Sequence, residues 1–270
     1  MRDSLHILLT NDDGIHADGL WALYRALHPR HQVTVVAPDR ERSAVGHGIT
    51  LKHPLRAANV KLNGGCSGWA VSGTPADCIK LAVLELLDEQ PDLVISGINP
   101  GANVGINLNY SGTVAAAKEA SIYGLSAMAV SIQNGSSIHY DDAARFVSRI
   151  APVIYAKGLP SGTFLNINVP NLPGERIAGV RISRQGVDLY NEYFEKRRDP
   201  RNGTYYWQGS ESEPSYTNKD ADGAVLGDDY ISITPVRCDM TDYKALQQIR
   251  QWDLGSDTQV TLDEIDNTPG

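Results

Sequence analysis

The sequence predicts a three-layer α/β protein in which a mostly parallel sheet is covered by helices on both faces. Short apolar segments, each followed directly by turn residues, alternate along the chain with segments of helical periodicity. That alternation is typical of βαβ units, whose crossover connections place parallel strands side by side. The chain has 270 residues and is 41% hydrophobic, which suffices for one large domain with a buried core.

The first two predicted strands flank an amphipathic helix. Residues 5–11, LHILLTN, are apolar and lead into turn residues, as expected of a buried parallel strand. Residues 19–29 place their apolar side chains on one helical face, and Pro29 ends the helix. Residues 32–39, QVTVVAPD, are rich in β-branched side chains and predict the second strand.

A helix, a strand and another helix follow. Residues 75–88 begin with Pro75 after a capping Thr74 and continue with a broad apolar face. Residues 92–99, DLVISGIN, form the third predicted strand. Residues 111–124 have a serine at the N-cap position, good helix formers, and a glycine where the helix should end.

A strand at 126–132, a helix at 140–158 and a strand at 163–170 complete the predicted core. We therefore expect a Rossmann-like catalytic core over residues 1–185. In such sheets ligands bind beyond the carboxyl ends of the strands. The loops NDDG, PDRERS and GINPGANVG each follow a strand directly, so this fold would bring them to one edge of the sheet.

Residues 186–270 are predicted to add an arm, a strand and a helix that serve oligomerisation within the same structural domain. Residues 186–229 have no helical period, and a structureless loop of that length is uncommon in a compact domain. An extended arm or hairpin that grips a second subunit would explain the segment, and a partly disordered flap is the alternative. The strand is predicted at 229–236 and the helix at 242–252. The aromatic residues of the arm are Tyr190, Tyr193, Phe194, Tyr205, Tyr206 and Trp207.

Composition excludes several classes of protein. The net charge is −8 and no Lys/Arg run occurs, which argues against a binder of nucleic-acid duplexes. The three cysteines form no C-x-x-C pair, so neither a disulfide framework nor a zinc cluster is expected. We find no signal peptide and no apolar run of membrane-spanning length, and we expect a soluble cytoplasmic protein without a membrane partner.

Asp12 and Asp13 stand next to each other directly after the first strand. Adjacent carboxylates repel each other and are costly to desolvate without a partner. One interpretation is a capping carboxylate with a solvated neighbour. The other is a site for a hard divalent cation, with Gly14 allowing the tight turn that points both side chains to one place.

Two further loops favour the cation site. Ser43 offers a hydroxyl oxygen after the second strand, and Asn99 offers an amide oxygen after the third. With Asp12 and Asp13 they would form an all-oxygen shell suited to one Mg²⁺ or Mn²⁺ ion, and they lack the thiolate and imidazole ligands of zinc sites. His16, His47 and His53 have no metal-ligand spacing and are expected to be ordinary histidines.

A phosphate site is predicted where a second glycine-rich loop precedes a helix. GINPGANVG matches neither G-x-G-x-x-G nor the P-loop pattern. Downstream, Ser111, Gly112 and Thr113 open a helix, and their free N–H groups and hydroxyls suit a phosphate. Helix capping alone explains any one of them. The similar SGT string before Pro75 is expected to be structural.

Taken together, these motifs resemble the SurE survival-protein family of metal-dependent nucleotidases. The resemblance covers about residues 5–253, in order along the chain. The matching segments are LLTNDDG, VVAPDRERS, GTPADC, LVISGINPGANVG, YSGTVAAAKEA, LNINVP, DPRNGTYYW and LGDDYISITP. One departure lies in the second loop, where Ala44 follows Ser43 although many members have glycine there. If that position needs a positive φ, alanine would be strained.

The resemblance implies hydrolysis of nucleoside 5′- and 3′-monophosphates, in some members also of short polyphosphate, by a homodimer or homotetramer with one divalent cation per subunit. Asp12, Asp13 and Asn103 would be catalytic, with Asp12 either only a metal ligand or also a base or nucleophile. The implied metal ligands are Asp12, Asp13, Ser43 and Asn99. The implied phosphate-binding residues are Asn99, Asn103, Ser111, Gly112 and Thr113.

Two other functions remain compatible with the sequence alone. A nucleotide-sensing or scaffold protein could use the same metal site without turnover. A dinucleotide-dependent oxidoreductase could use a similar sheet, although the G-x-G-x-x-G fingerprint is missing.

Overall fold

The structure is a computed structural model that describes residues 4–61, 66–187, 192–210 and 216–252. The chain forms two compact units, Met1–Cys238 and Asp239–Gly270. The predicted contribution of Tyr190 to the arm lies outside the described residues.

The larger unit is built on a nine-stranded sheet in the order β3-β4-β2-β1-β5-β6-β7-β11-β8. Strands β9 and β10 form a separate two-stranded sheet. The strands are β1 (His6–Thr10), β2 (Gln32–Pro38), β3 (Ala57–Lys61), β4 (Ser67–Val71), β5 (Leu93–Pro100), β6 (Ala127–Ile132), β7 (Thr163–Val169), β8 (Gly179–Ile182), β9 (Glu192–Arg198), β10 (Thr204–Ser210) and β11 (Tyr230–Arg237).

Six helices accompany these strands in the described residues, and the second continues as a π-helical turn, Ala82–Leu86. A 3₁₀ turn, Gly105–Asn109, lies directly before the third helix. The helices are α1 (Asp18–Leu27), α2 (Pro75–Leu81), α3 (Gly112–Ile122), α4 (Tyr140–Lys157), α5 (Asp222–Gly227) and α6 (Tyr243–Ile249).

The centre of the sheet is parallel, which confirms the predicted fold class. Strands β4, β2, β1, β5, β6 and β7 pair in parallel. Antiparallel pairs occur toward both edges, where β3 joins β4 and β11 joins β7. The predicted strand at 229–236 therefore extends the core sheet rather than standing apart from it.

Helices cover both faces of the sheet. Ile7 and Leu9 of β1 pack with α1 and α4, whereas Leu8 between them packs with α2 and α3. Because successive side chains of a strand point to opposite faces, this alternation produces two hydrophobic layers. Leu20 and Leu23 on the apolar face of α1 are fully buried in the first layer.

Three strands and one helix of the core unit were not predicted. Strand β3, AANVK, and strand β8, GVRI, are largely exposed, so they carry no run of buried apolar residues. Strand β4 contains Gly68 and pairs with the exposed β3. The expectation of no helix within 186–229 was wrong at α5, whose six residues are too few to display a helical period.

The predicted arm contains an antiparallel hairpin in which Arg198 of β9 pairs with Thr204 of β10. The described aromatic side chains of this hairpin are all exposed; Phe194 is 67% and Trp207 60% exposed. The smaller unit contains α6, which is capped by the Asp242 carboxylate accepting from the N–H groups of Lys244 and Ala245. No helix of the described residues is long and apolar enough to cross a membrane.

Candidate functional site

The NDDG loop and the N-terminus of α3 meet at the carboxyl edge of β1. The Asp12 side chain is only 4% exposed, and its Oδ1 atom accepts a hydrogen bond of 2.5 Å from the Thr113 hydroxyl. Burial raises the pKa of Asp12, and hydrogen bonds from Thr113 oppose that rise. The two motifs that the sequence placed at one edge are therefore in direct contact.

Gly112 leaves no room for a side chain between its backbone and Asp12. A Cβ atom on Gly112 would lie 2.8 Å from the Asp12 Cβ and 3.0 Å from its Oδ2. Such a separation is shorter than the usual contact distance between carbon atoms. A residue without a side chain is required here because the carboxylate packs against the backbone of the turn.

Unlike Asp12, Asp13 has a buried carboxylate oxygen that lacks a hydrogen bond within the described part of the chain. Its Oδ2 atom is buried and has no hydrogen-bond partner among the described residues. Burial, and then the charges of Asp12 and Glu41, raise the pKa of Asp13 to about 7. A cation that both aspartates ligate would supply the missing partner and relieve the repulsion between them. The donor set therefore fits a divalent metal ion.

The turn that presents the two aspartates depends on Gly14. Its φ of 102° is readily adopted only by glycine. The Asn11 side chain brackets this residue, accepting from the Gly14 N–H at 3.2 Å and donating to its carbonyl at 2.9 Å. Next to it, the Arg42 N–H donates to the Asp12 carbonyl at 2.7 Å, which ties the NDDG loop to the loop after β2.

Ser43 lies in that second loop and is exposed. Its hydroxyl donates to the Glu41 carboxylate at 2.6 Å, so its oxygen lone pairs are left to bind a cation. The following residue, Ala44, has a φ of 54°. The position thus does need the left-handed conformation, and alanine adopts it at a cost of about 1 kcal/mol relative to glycine.

Hydrogen bonds attach the rest of this loop to α2, to α3 and to Tyr110, which precedes the N-cap of α3. The Gly46 N–H donates to the Tyr110 carbonyl at 3.0 Å, and the Thr50 hydroxyl donates to Asp77 at 2.6 Å. Between them, His47 Nε2 lies 2.6 Å from an oxygen of the buried Glu119. His47 is thus a satisfied histidine, as expected, and these contacts hold the loop that bears Ser43.

We expect Glu119→Gln to loosen this attachment and destabilise the protein. Lys80 Nζ also lies 3.3 Å from the carboxylate. Burial raises the pKa of Glu119, but the hydrogen bonds from His47 and Lys80 outweigh it, so the pKa falls below its ordinary value. Because the Lys80 side chain is 37% exposed, the expected loss is about 2 kcal/mol, below that of a fully buried pair. Urea unfolding at neutral pH would measure it.

The exposed Glu85→Gln is the matched control and should leave the unfolding free energy unchanged. A depressed carboxyl pKa stabilises the folded state above the unfolded pKa and loses that effect as the pH falls. The difference between wild type and Glu119→Gln should therefore shrink below the ordinary glutamate value of 4.5. Equal stability of the two proteins at neutral pH would contradict the role given to Glu119.

Asn99 reaches the edge of the sheet through an irregularity in β5. The register of β5 with β6 shifts between Ser96 and Asn99, and such bulges re-aim the side chains that follow them. The Asn99 amide donates to the Gly101 carbonyl at 2.7 Å. Its Oδ1 atom is the one left to ligate a cation.

Asn103 is held by a buried polar network on β7. Asn168 accepts from the Asn103 N–H at 2.8 Å and donates to its carbonyl at 3.0 Å, and Asn166 donates to the same carbonyl. The Asn103 side-chain amide donates to Ser131 at 2.8 Å. One amide hydrogen and the Oδ1 atom of Asn103 are not used in that bond.

Ser111 serves as the N-cap of α3, since its hydroxyl accepts from the Val114 N–H at 3.2 Å. Capping therefore accounts for the Ser111 side chain and for the Val114 N–H, and the Thr113 N–H is hydrogen-bonded to Asp12. The N-terminus of a helix remains a place that suits an anion. In the similar Ser-Gly-Thr string before Pro75, both hydroxyl groups take part in hydrogen bonds within the fold. Thr74 and Asp77 form a capping box there, so the predicted structural role of Thr74 agrees with the geometry.

The site contains no histidine or cysteine ligand set. Within the described residues, no group of three or more His, Cys, Asp or Glu could hold a metal ion. Two carboxylates and neutral oxygens remain as the donor set of the site, and divalent cations that prefer oxygen ligands take such donors.

Asp222 supports this site, although no sequence pattern indicated it. Its carboxylate is fully buried and accepts from the N–H groups of Gly105, Gly186 and Gly223. It thereby joins the loop before α3 to the segment that leads toward the hairpin. An isolated aspartate in a polar segment carries no periodicity, so only the contacts reveal this role.

Comparisons with known proteins agree with this architecture. The family described as "Survival protein SurE" matches residues 7–192. A protein of Desulfatibacillum aliphaticivorans named 5′-nucleotidase SurE is 57% identical over 248 residues, covering 92% of this chain and 98% of that protein. A protein of the same name from Syntrophobacter fumaroxidans is 47% identical over 250 residues, covering 93% and 100%.

A solved structure gives the same result for the fold. The crystal structure of the SurE protein from Aquifex aeolicus superposes with a TM-score of 0.81 at 37% identity, covering 91% of this chain and 98% of that one. The match extends over most of the chain, at an identity well above the level at which only the fold is shared. This chain belongs to the SurE survival-protein family.

Proposed function

We propose that this protein is a divalent-metal-dependent phosphohydrolase that releases phosphate from nucleoside 5′- and 3′-monophosphates. The observation that carries the proposal is the buried Oδ2 atom of Asp13, which has no hydrogen-bond partner among the described residues and lies beside the buried Asp12 and the N-terminus of α3. A pair of desolvated carboxylates facing an anion-binding turn is costly unless a cation joins them. The relatives named 5′-nucleotidase support the substrate class.

Asp12, Asp13, Ser43 and Asn99 would hold one Mg²⁺ or Mn²⁺ ion. When bound, the ion would neutralise charge on the phosphoryl group and make a water molecule more acidic. The two carboxylates supply the negative charge that a dication needs, and the hydroxyl and amide supply neutral oxygens. The contacts that fix Asp12 and the loop of Ser43 keep these oxygens in place before substrate arrives.

The α3 turn would hold the substrate phosphate. Residues Ser111–Thr113 lie at the start of an eleven-residue helix, where the helix dipole favours an anion. Asn103 would donate to another phosphate oxygen through the amide hydrogen that Ser131 leaves free. Donors fixed in this way stabilise the charge that develops in the transition state. Asp12 would serve either only as a metal ligand or also as the base or nucleophile.

Metal binding should weaken as the pH falls through neutrality. The pKa of Asp13 in the metal-free protein is raised to about 7, so protons compete with the cation below that pH. With one competing proton, the apparent Kd for Mn²⁺ should be about tenfold higher at pH 6 than at pH 8. Calorimetric titration at both pH values would check this, and an affinity unchanged over that range would contradict the role of Asp13.

A phosphate-release assay would test the activity directly. We expect Mn²⁺-dependent release from AMP, GMP, CMP, UMP and a 3′-monophosphate, abolished by a chelator and restored by added metal. Nucleotide binding without any phosphate release would favour the sensor or scaffold instead. A nicotinamide titration with a hydride-transfer signal would favour the oxidoreductase.

The exposed hairpin supports a further part of the proposal, namely assembly into a homodimer or homotetramer. Side chains such as Phe194 and Trp207 present apolar surface to solvent in the isolated chain, and such surfaces mark association sites. Light scattering after size exclusion should give a mass of two or four chains. Deletion of residues 192–210 should lower that mass, and a monomeric full chain would contradict the assembly.

A further inference from the structure

Tyr110 is an exposed aromatic residue beside the proposed phosphate site. It directly precedes Ser111, and its side chain is 59% exposed. Among the described residues of the range 4–187, it is the only exposed Phe, Tyr or Trp side chain. The other exposed aromatic side chains lie in the hairpin and near α6. Among the described residues of that range, an exposed aromatic ring of this kind therefore occurs only beside the proposed phosphate site.

The backbone of Tyr110 is fixed from both sides although its ring is exposed. Its N–H donates to the Asn107 carbonyl at 3.0 Å, and its carbonyl accepts from the Gly46 N–H at 3.0 Å. The neighbouring loop adds apolar surface, since Val45 is 36% exposed. A ring on a fixed backbone loses little conformational freedom when a flat ligand packs on it.

We propose that the Tyr110 ring is the platform on which the nucleobase of the substrate stacks. This inference rests on the proposed function and assigns the part of the substrate that Tyr110 recognises. In a nucleoside 5′-monophosphate one ribose separates the phosphate from the base, so a base platform must lie close to the phosphate turn. Tyr110 is the residue next to that turn, and stacking on an aromatic face tolerates every base because each base has a π face.

The experiment compares a substrate that has a base with one that lacks it. We would measure kcat/KM for AMP and for ribose 5-phosphate, with Mn²⁺, in wild type, Tyr110→Ala and Tyr110→Phe. Tyr110→Ala should lower kcat/KM for AMP about tenfold, mainly through KM, and change that for ribose 5-phosphate less than about twofold. Tyr110→Phe keeps the aromatic face and should behave as wild type.

Ile122→Ala is the matched control, because Ile122 is 55% exposed at the C-terminal end of α3, far along the helix from the turn that follows Tyr110. It should leave both substrates unaffected. Calorimetric binding of AMP and of ribose 5-phosphate would report the base contact without turnover. Suppose that the wild type binds AMP more tightly than ribose 5-phosphate, that Tyr110→Ala loses this difference, and that the protein hydrolyses neither compound. That result would overturn the proposed activity and leave the platform supported.

Other results would overturn the platform itself. Equal losses for AMP and ribose 5-phosphate in Tyr110→Ala would mean that Tyr110 supports the phosphate turn rather than the base. A lowered oligomeric mass of Tyr110→Ala, without any base-dependent change in kcat/KM, would mean that the ring contacts a second copy of the chain.

Discussion

Replacing Asp13 with asparagine is expected to lower phosphate release by two to three orders of magnitude, by analogy with the loss of other charge-stabilising groups. The substitution keeps the shape of the side chain and removes one of the two charges that would hold the dication. A buried oxygen of Asp13 has no hydrogen-bond partner in the part of the chain that the structure describes, so little else there depends on its charge. The effect should appear as a loss of Mn²⁺ affinity as well as of kcat.

The measurement is a phosphate-release assay over a range of Mn²⁺ concentrations, with Asp18→Asn as the control. Asp18 lies exposed in the first turn of α1, so its replacement removes the same charge without removing a ligand. Activity of the control should stay near that of wild type. Near-normal turnover of Asp13→Asn would remove Asp13 from the site.

The same substitution should raise the stability of the metal-free protein. Because the folded-state pKa of Asp13 is raised to about 7 from 3.8, the folded protein loses stability as the pH rises from the unfolded value through 7. At pH 8 the charged carboxylate opposes folding, and asparagine carries no charge. We therefore expect the Tm of metal-free Asp13→Asn to exceed that of wild type by a few degrees, roughly 2–4 °C. A lower Tm would indicate a structural role for the charge.

The elements that the sequence predicted well are those whose side chains repeat with a clear period. Ile7, Leu8 and Leu9 of β1 are fully buried, as are Leu20 and Leu23 of α1. Because burial requires apolar side chains at regular positions, both elements have a pattern that is visible in the sequence. Parallel βαβ topology then placed the strand-end loops at one edge. The contact between Asp12 and Thr113 follows from that rule, although the residues are far apart along the chain.

The residues that the sequence did not reveal act through contacts between distant single positions. Asn168 holds the backbone of Asn103 from β7, Glu119 binds His47 from within α3, and Asp222 collects three backbone N–H groups. No period or spacing marks a lone polar residue whose partners come from other elements. Ala44 is the exception. Many family members have glycine at this position, which indicated that it could need a positive φ, and the φ of Ala44 is indeed 54°.

Gly112→Ala is expected to abolish most of the activity while leaving the fold intact. The added Cβ would lie 2.8 Å from the Asp12 Cβ, and Asp12 is 4% exposed, so the carboxylate has no open space to move into. Alanine is a better helix former than glycine at the start of α3, which offsets part of the cost. We expect kcat/KM to fall about 100-fold, because small displacements of catalytic groups have effects of that size.

The control is Gly227→Ala, at the end of α5, where an added Cβ would meet no atom within 4 Å. This variant adds the same methyl group and should keep wild-type activity. Circular dichroism and urea unfolding would show whether Gly112→Ala is folded, and we expect its stability to change by less than about 2 kcal/mol. A folded Gly112→Ala enzyme with wild-type kcat/KM would mean that Asp12 does not need its position against the phosphate turn. Loss of activity in a folded protein would instead show that the aspartate and the turn act as one site, because the methyl group removes no ligand and no hydrogen-bond donor.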